Sequence, residues 1–303
     1  KEGEILGIVG ESGSGKTQTA LSVLGLLKKH EEISAGEILF EGKNLAEFSQ
    51  KELEAVRGKD ISMIFQEPMT SLNPVLPVGQ QVEEGLRLHT SYTKEECKKR
   101  ALDMLREVEL AEVENIYNRY PHQLSGGMRQ RIMIAAALVT EPKLLIADEP
   151  TTALDVTIQA QIFELMEKLK REHDTAIMLI THDMGVVSEL ADDVAVMYMG
   201  SIVERGSVRE VLKYPAHPYT AALLRSIPIL HKGRGQRLEP IRGSTPDPYD
   251  RPKGCQFAPR CDFCCEKCRQ EMPPEVPVCD GHAVRCWNAE QVYAGHREEV
   301  EAV

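Results

Sequence analysis

Five short motifs lie in a fixed order between Gly10 and His182, and the first constrains the fold most strongly. An apolar run, Ile5–Val9, leads directly into Gly10-Glu-Ser-Gly-Ser-Gly-Lys-Thr17. This succession predicts a buried strand, a glycine-rich turn and then a helix. Such a turn directs successive backbone N–H groups into one concavity, and the helix adds its positive end. The pattern predicts a phosphate-binding P-loop; an ordinary glycine-rich turn is the alternative, which the flanking strand and helix disfavour.

The P-loop pattern gives each position a role in binding a nucleoside triphosphate. Lys16 is placed to reach the β- and γ-phosphates, and Thr17 to ligate Mg²⁺. The turn itself supplies the other expected phosphate contacts, which are Gly10, Ser12, Gly13, Ser14 and Gly15. ATP and Mg²⁺ are therefore the expected ligands of this region.

A pair of acids, Asp148-Glu149, follows another apolar run, Leu144–Ala147. At the end of a strand beside a P-loop, Asp148 would hold Mg²⁺ through water. Glu149 would then orient the attacking water or accept its proton. Acids are also favoured at helix N-termini without any catalytic role. The upstream P-loop favours the catalytic interpretation over that alternative.

Two further polar residues follow apolar runs. Gln66 comes after Ile61–Phe65, and His182 comes after Ala176–Thr181. Gln66 is expected to contact Mg²⁺ and the γ-phosphate, and His182 to hydrogen-bond the γ-phosphate and the attacking water. A single histidine after a strand more often has a structural role, so only its place after the other motifs favours catalysis.

Apolar runs that alternate with helical stretches predict an α/β fold with a mainly parallel sheet. Residues from about 67 to 125 depart from this pattern: they are polar and have helical composition from Lys94 to Glu109. They are expected to form a helical insertion. Val194–Met199 and Ile202–Glu204 are expected to pair as a hairpin across the glycine between them.

A change in composition divides the chain into two predicted domains. Residues 1–230 carry all five motifs, whereas Gly, Pro, Arg and Cys dominate after about Pro228 and helical periodicity disappears. A small second unit is therefore expected over residues 231–303. Its last stretch, Glu290–Val303, is charged and is expected to be a helix or a frayed tail.

The charge balance argues against one class of partner. The chain has 303 residues with 47 acidic and 36 basic side chains, a formal net charge of −11. Nucleic-acid binding requires a basic face, so no nucleic-acid partner is expected. The apolar stretch from Ala20 to Leu27 is too short to span a bilayer, and no signal peptide is visible. Because the chain starts at Lys1 within a predicted loop, its natural start is expected to be missing.

Seven of the eight cysteines lie between Cys255 and Cys286. Thiols in an intracellular nucleotide-binding chain stay reduced, so clustered cysteines indicate a metal site more than disulfides. Two Cys-x2-Cys spacings, which begin at Cys261 and Cys265, permit zinc with its four S or N ligands. A loose tail with free thiols is the alternative.

The third motif, Leu124-Ser-Gly-Gly-Met128, closely resembles the signature motif of ATP-binding cassette (ABC) ATPases, with Met where the family usually has Gln. Its small residues head a helix and so form a second anion-binding end. The resemblance implies a P-loop ABC ATPase domain in which Ser125, Gly126 and Gly127 contact ATP held by a second ABC ATPase subunit, in a head-to-tail dimer. Ala153-Leu-Asp155 resembles the loop that couples the two sites, so Asp155 belongs to the expected site. The resemblance covers about residues 1–230. The family's adenine-stacking aromatic residue lies upstream of the P-loop and is absent from this sequence.

Two longer stretches resemble the peptide and nickel importer ATPases of bacteria and archaea. They are Gln66-Glu-Pro-Met-Thr-Ser-Leu-Asn-Pro74 and His217-Pro-Tyr-Thr-Ala-Ala-Leu-Leu224. The resemblance implies two transmembrane permease subunits whose coupling helix docks on the helical insertion, with Gln66 linking that contact to the γ-phosphate. It also implies an extracytoplasmic peptide-binding protein and a peripheral location on the cytoplasmic face of the cell membrane. Related importers often pair two different ATPase subunits, so a heterodimer is expected.

The cysteine pattern resembles the C-terminal tail of oligopeptide and dipeptide importer ATPases, of which some members carry a [4Fe–4S] cluster. Thiolates of Cys255, Cys261, Cys268 and Cys286 would satisfy such a cluster, with Zn²⁺ as the alternative. The other three cysteines of this region are additional to the family pattern.

These resemblances imply an ATPase that couples hydrolysis to import of di- or oligopeptides. ATP binding would close the dimer and hydrolysis would reset it. Nickel import is the alternative within the same family. A soluble cassette ATPase and a non-catalytic iron–sulfur regulatory protein that only binds nucleotide are the alternatives from other classes.

Overall fold

The computed structural model of the chain describes residues 1–67, 71–152, 154–226, 240–247 and 249–301. These residues form two compact units, each built from two stretches of sequence. Unit 1 comprises Lys1–Ile5 and Thr17–Ile180, and unit 2 comprises Leu6–Lys16 and Thr181–Val303.

Strands and helices alternate along most of the chain. The strands are β1 (Ile5–Val9), β2 (Leu39–Phe40), β3 (Lys43–Asn44), β4 (Ile61–Ile64), β5 (Leu144–Asp148), β6 (Ala176–Ile180), β7 (Asp193–Tyr198), β8 (Ser201–Ser207), β9 (Val276–Cys279) and β10 (His282–Val284). The helices are α1 (Lys16–Val23), α2 (Gln50–Val56), α3 (Val78–His89), α4 (Lys94–Glu107), α5 (Val113–Ile116), α6 (Gly126–Leu138), α7 (Val156–His173), α8 (Met184–Leu190), α9 (Val208–Lys213), α10 (Pro218–Arg225), α11 (Glu266–Gln270) and α12 (Ala289–Glu301).

Unit 1 is organised around three parallel strands in the order β4-β5-β6. Leu144 of β5 pairs with Ile61 on one side and with Ala176 on the other. All four residues of β4 are buried, and Leu145 and Ile146 of β5 are fully enclosed. Parallel strands covered on both faces read as continuous apolar runs, which is why the sequence predicted all three. The α/β prediction is confirmed.

The helices α3, α4 and α5 lie in the stretch predicted as a helical insertion. Thr93 begins α4 with a capping box, because Thr93 Oγ1 accepts from the Glu96 N–H and the Glu96 carboxylate accepts from the Thr93 N–H. The helix buries one stripe, made of Cys97, Ala101, Met104 and Leu105. It ends at Glu107, two residues before the predicted end, because the chain leaves helical geometry and Glu109 has a φ of +57°.

Among the described residues, unit 2 contains four strand pairings. β1 pairs with β7 in parallel, and β7 and β8 form the predicted hairpin, which turns at Gly200 with a φ of +82°. β8 also pairs with β10, and β10 with β9, both antiparallel. The β9–β10 hairpin therefore joins the same strand layer as β1. The core beside these strands contains Val194, Val196, Tyr198, Tyr219 and Phe257.

The C-terminal region has more regular structure than its composition predicted. Besides β9 and β10 it contains α11, and the charged tail forms α12. The predicted domain boundary at residue 230 lies outside the described residues, so that boundary stays a prediction. Among the described residues, no helix combines the length and the apolar character that crossing a membrane requires.

Candidate nucleotide site and thiol cluster

The P-loop turn has a backbone that requires glycine. Gly10 has a φ of +155° and Gly15 a φ of +100°. A Cβ atom on Gly10 would lie 2.1 Å from the Met197 carbonyl oxygen, so the turn approaches β7 too closely for a side chain. Ser12 and Gly13 are exposed on the turn. The predicted strand, turn and helix are confirmed.

Lys16 is the first residue of α1 and folds back across the turn. Its Nζ donates to the carbonyl oxygens of Gly10, at 2.8 Å, and of Glu11, at 3.1 Å, and it lies 3.5 Å from Ser14 Oγ. The lysine is only 8% exposed, so a positive charge is concentrated within the turn. Thr17 is exposed at the next position of α1, and its role as a Mg²⁺ ligand stays a prediction.

Gln66 and Glu149 meet at one edge of unit 1. Gln66 Nε2 donates to Glu149 Oε2 at 3.1 Å, although 83 residues separate them in sequence. Asp148, the last residue of β5, is 1% exposed. Because β4 and β5 are parallel neighbours, the residues that follow them share the edge where both strands end. The structure thus brings together three of the predicted site residues.

Glu149 is held in an unusual backbone conformation. Its φ is +46°, in the left-handed region that non-glycine residues seldom adopt. The Glu149 N–H donates to the Ile180 carbonyl at 2.9 Å, and the Thr152 hydroxyl donates to Glu149 Oε2 at 3.2 Å. Strained residues persist where their surroundings fix them, and they concentrate at functional sites. The carboxylate of Glu149 therefore has a defined position rather than a freely rotating one.

His182 lies in unit 2, two residues beyond the end of β6, and its side chain is exposed. The surrounding loop is fixed by local hydrogen bonds. The Asp183 N–H donates to Thr181 Oγ1 at 3.0 Å, and Asp183 Oδ1 accepts from the Gly185 N–H at 2.8 Å, which caps α8. His182 thus lies on a hydrogen-bonded turn. Its contact with a γ-phosphate stays a prediction.

The signature motif forms a capped helix end in unit 1. Ser125 Oγ accepts from the Met128 N–H at 3.3 Å, and Gly126 begins α6. A Cβ atom on Gly126 would meet no heavy atom within 4 Å, so this end has open space in front of it. Gln130, fully buried one turn along, donates to the Pro150 carbonyl just after Glu149. The predicted helix start is therefore present and is linked to the segment that carries Glu149, while its binding of an anion stays a prediction.

Asp155 caps the next helix of the same unit. Its Oδ1 accepts from the Ile158 N–H at 3.1 Å at the start of α7. This capping contact explains the residue locally, and its role in coupling two sites stays a prediction. Ala153, from the same motif, lies outside the described residues, as do Pro68, Met69 and Thr70 of the importer-type stretch.

The sequence did not reveal the importance of Glu11, the second residue of the P-loop. Its carboxylate forms an ion pair with Arg260, whose Nη1 lies 2.7 Å from Oε2. Its backbone N–H donates to the hydroxyl of Tyr219 at 2.9 Å. Arg260 directly precedes Cys261, and Tyr219 belongs to the His217–Leu224 stretch. An acid inside the P-loop and an arginine between two cysteines were the available signals, but their sequence separation of 249 residues hid the contact.

The buried side chain of His217 has a structural role at the start of α10. The ring Nδ1 accepts from the Tyr219 N–H at 3.0 Å, which caps α10, and the His217 N–H donates to the buried carboxylate of Glu204 at 3.0 Å. Burial lowers the pKa of His217 to about 4, against an opposing effect of the Glu204 charge. The ring is therefore neutral at physiological pH, as an acceptor must be. Tyr219 is turned into the core, where its ring centroid lies 5.3 Å from that of Phe257.

Six of the seven C-terminal cysteines converge. Burial raises the pKa of Cys255, and it raises that of Cys261 and of Cys286 to about 12 each, with further increases from neighbouring thiols. The charge of Cys255 is among the causes that raise the pKa values of Cys261, Cys268 and Cys286. The Cys255 N–H also donates to the Cys268 carbonyl at 2.8 Å. Cys264 and Cys265 also act on Cys255.

Cys265 and Cys268 form the closest pair, with their Sγ atoms 3.4 Å apart. Backbone hydrogen bonding from Cys268 lowers the pKa of Cys265, while burial raises that of Cys268 to about 11. Half-buried thiols that destabilise one another's thiolates are a donor set that a bound cation would stabilise. Six thiols are therefore candidates for the four predicted ligand positions, and their binding of a metal group stays a prediction.

Cys279 lies apart from this cluster. Its Sγ lies within 4.8 Å of a carboxylate oxygen of Glu210 and a ring nitrogen of His282. The His282 ring is itself held by Glu204, with Nε2 2.7 Å from Oε1. Among the three additional cysteines, Cys279 is therefore the one that lies beside Glu210 and His282.

A P-loop and a signature motif on one chain, each at the start of a helix, are the combination typical of an ATP-binding cassette. Comparison with protein families agrees: residues 1–152 match the family described as ABC transporter, and residues 203–268 match that described as oligopeptide/dipeptide transporter, C-terminal region. The chain belongs to the ATP-binding proteins of the ABC transporter family, and ATP and Mg²⁺ are its expected ligands.

Named relatives are similar over nearly their whole length. A probable peptide ABC transporter ATP-binding protein of Sinorhizobium fredii is 52% identical over 96% of this chain and 88% of its own. The oligopeptide transport ATP-binding protein AppD of Bacillus subtilis is 50% identical over the same shares. The dipeptide transport ATP-binding protein DppD of Bacillus subtilis is 49% identical over 96% of this chain and 87% of its own.

Solved structures show the same fold. A dimeric ATP-binding cassette in a post-hydrolysis state bound to ADP and Pi is 32% identical, with a TM-score of 0.63 over 69% of this chain and 87% of its own. CbiO1 from Clostridium perfringens, part of the ABC transporter complex CbiONQ, is 33% identical, with a TM-score of 0.57 over 70% of this chain and 80% of its own. The predicted ABC ATPase fold is confirmed.

Proposed function

We propose that this protein is the ATP-hydrolysing subunit that powers import of di- and oligopeptides through a membrane ABC transporter. The observation that carries the catalytic part is the contact between Gln66 and Glu149, which fixes an acid at the end of β5 beside Asp148. Relatives named for peptide, oligopeptide and dipeptide transport, at about 50% identity, support the cargo class.

The residues divide the chemistry between them. Lys16 and the N–H groups of the P-loop bind the phosphates of ATP, and Thr17, Gln66 and Asp148 hold Mg²⁺, which neutralises developing charge. Glu149 orients the attacking water and accepts its proton, a role worth about 10²–10⁴-fold in rate. His182 hydrogen-bonds the γ-phosphate.

The signature motif requires a second subunit. Ser125, Gly126 and Gly127 bind ATP held by the partner ATPase, and Asp155 lies in the loop that couples the two sites. The complete transporter contains a second ABC ATPase subunit, different from this one, two transmembrane permeases and an extracytoplasmic peptide-binding protein. The subunit is peripheral, on the cytoplasmic face of the cell membrane, with the ATPase domain over residues 1–230 and the C-terminal domain over residues 231–303.

The thiol cluster is proposed to hold a [4Fe–4S] cluster through Cys255, Cys261, Cys268 and Cys286, with Zn²⁺ as the alternative occupant. Their convergence, described above, supports this assignment. When bound, the group cross-links four points of the C-terminal chain. Anaerobically purified protein is expected to contain about four irons per chain with broad visible absorption. Zinc without iron would identify the alternative occupant, and absence of both would refute a metal site.

Transport by the assembled complex tests the cargo. The assay uses liposomes that contain the subunit, its partner ATPase and the permeases, with the binding protein on the opposite side of the membrane from the ATPases. Uptake of labelled dipeptides, longer peptides and Ni²⁺ is measured with ATP on the side of the ATPase subunits. ATP-dependent uptake of peptide is expected. Uptake of Ni²⁺ alone, or ATP hydrolysis without any dependence on the permeases, would contradict the proposal.

A further inference from the structure

Glu11 links the P-loop to the C-terminal cysteine segment through a two-point ion pair. Arg260 Nη1 donates to Glu11 Oε2 at 2.7 Å, and Nη2 donates to Oε1 at 3.0 Å. The Arg260 side chain is 4% exposed and that of Glu11 27%. A two-point guanidinium–carboxylate pair with this little solvent is both strong and directional. It therefore fixes the orientation of Glu11 and not only its charge.

Arg260 is itself immobilised. Its Nε donates to the Arg242 carbonyl at 2.8 Å, and Nη1 lies 3.3 Å from the hydroxyl of Tyr198. The guanidinium carbon lies 5.8 Å from the centroid of the Phe257 ring. The side chain of Arg260 is thus held in one orientation, and it contacts the P-loop through Glu11.

The other groups of Glu11 are also occupied. Its N–H donates to the hydroxyl of Tyr219, a fully buried residue of α10, and its carbonyl accepts from Lys16 Nζ at 3.1 Å. Carboxylate, N–H and carbonyl therefore contact the cysteine segment, α10 and the phosphate-binding lysine respectively. Nucleotide binding by itself does not require the contacts of Glu11 with Arg260 and with Tyr219.

Arg260 occupies a short turn bounded by cysteines of the thiol cluster. The turn, Ala258–Arg260, lies between Cys255 and Cys261, and its backbone is closed by a hydrogen bond from the Ala258 N–H to the Cys255 carbonyl at 3.0 Å. Both flanking thiols belong to the proposed ligand set. A change in the binding state of these thiols therefore acts on the backbone that carries Arg260.

We propose that Arg260 is a positioning residue for ATP binding, which holds the P-loop in its anion-binding form through Glu11 and makes nucleotide affinity depend on the state of the thiol cluster. The proposal rests on the proposed function only in that the chain binds ATP. Loss of Arg260 leaves the Glu11 carboxylate uncompensated beside the site of the phosphates and frees the loop to change conformation. Both effects weaken binding of a polyanion.

The first test is equilibrium binding of MgATP, with a fluorescent ATP analogue as the probe and the full chain purified anaerobically. R260A is expected to bind at least about 10-fold more weakly than the unmodified protein. R260K keeps the charge but loses the two-point contact, so it is expected to recover part of that loss. E11Q removes the carboxylate charge, so the double variant E11Q/R260A is expected to bind no more weakly than R260A alone. Unchanged affinity in R260A, or weakening by both substitutions that simply adds, would overturn the proposal.

A merely structural role is separated by two further readouts. The melting temperature without nucleotide and the iron content are measured for each variant. R260K is expected to recover part of the nucleotide affinity whether or not it restores the melting temperature of R260A. If R260A does not fold, E11Q and R260K still decide: normal affinity in E11Q together with a tenfold loss in R260K would contradict a role through the ion pair.

The second test addresses the thiol cluster. C255S and C261S alter the ends of the turn that carries Arg260, whereas C279S alters a cysteine outside the cluster and is the matched control. The first two are expected to weaken MgATP binding at least about 3-fold, and C279S to leave it unchanged. Equal affinity in all three would overturn the coupling. Since these measurements use nucleotide binding alone, a failure of peptide uptake in reconstituted transporter leaves their outcome intact.

Discussion

Replacing Gly10 with alanine tests the geometry of the P-loop directly. The added Cβ would lie 2.1 Å from the Met197 carbonyl oxygen and 2.9 Å from Ser14 Oγ, whereas real Cβ atoms essentially never come within 3.0 Å of another heavy atom. The loop must therefore move away from β7 by about 1 Å, which misaligns the N–H groups proposed to bind phosphate. Loss of one hydrogen bond to a charged group costs about 1.5–3 kcal/mol, on the order of 100-fold in binding. That factor corresponds to about 2.7 kcal/mol in binding free energy.

Gly13 is the matched control within the same loop. It has a φ of +77°, but a Cβ atom there would meet no heavy atom within 4 Å. Gly13→Ala therefore carries only the left-handed backbone penalty of about 1–2 kcal/mol, which corresponds to roughly 10-fold weaker MgATP binding. Equilibrium titration with a fluorescent ATP analogue measures both variants. Gly10→Ala binding within 3-fold of the unmodified protein, or more tightly than Gly13→Ala, would refute the reasoning.

Two further predictions concern stability. Leu105 is fully buried in α4, whereas Leu88 is 71% exposed on α3. Leu105→Ala should therefore lower the free energy of unfolding by about 2–5 kcal/mol, and Leu88→Ala by less than about 0.5 kcal/mol. Equal losses in urea titrations would contradict the packing of the helical insertion. The neutral His217 ring, with its pKa lowered to about 4 by burial, contributes stability that is fully present above its unfolded pKa of about 6.5 and is lost as pH falls toward 4. His217→Asn, which keeps a capping side chain, should reduce the loss of melting temperature between pH 7 and pH 4.5, and an identical pH dependence in both proteins would argue against a buried neutral histidine.

The features that the sequence predicted are those whose physical cause is local. The strand, turn and helix around Gly10 follow from residues next to one another, and β4, β5 and β6 read as apolar runs because both of their faces are covered. The β7–β8 hairpin was predicted from the glycine at its turn. Gln66, Asp148 and Glu149 were each predicted to contact the same nucleotide, and they meet at one edge because residues that follow neighbouring parallel strands must lie there.

The features that were not predicted depend on contacts between distant residues. β9 is only partly buried and contains Pro277, so neither alternation nor an apolar run marked it as a strand. The spacing of the cysteines did not show which of them belong to the thiol cluster. Cys279 lies on β9, and the pairing of β9 with β10 places it beside His282. The ion pair between Glu11 and Arg260 joins two segments 249 residues apart, and only the folded chain brings them together.

The central claim is that this chain hydrolyses ATP through Glu149 within an ATPase dimer that closes when ATP binds. Steady-state ATPase activity of the assembled transporter, measured with Glu149→Gln and with the exposed acid of α7, Glu164→Gln, as the matched control, tests this claim most directly. Glu149→Gln is expected to bind MgATP normally, to lose at least about 100-fold in turnover and to hold the two ATPase subunits together, while Glu164→Gln hydrolyses ATP normally. Turnover by Glu149→Gln close to that of the unmodified transporter would contradict the account.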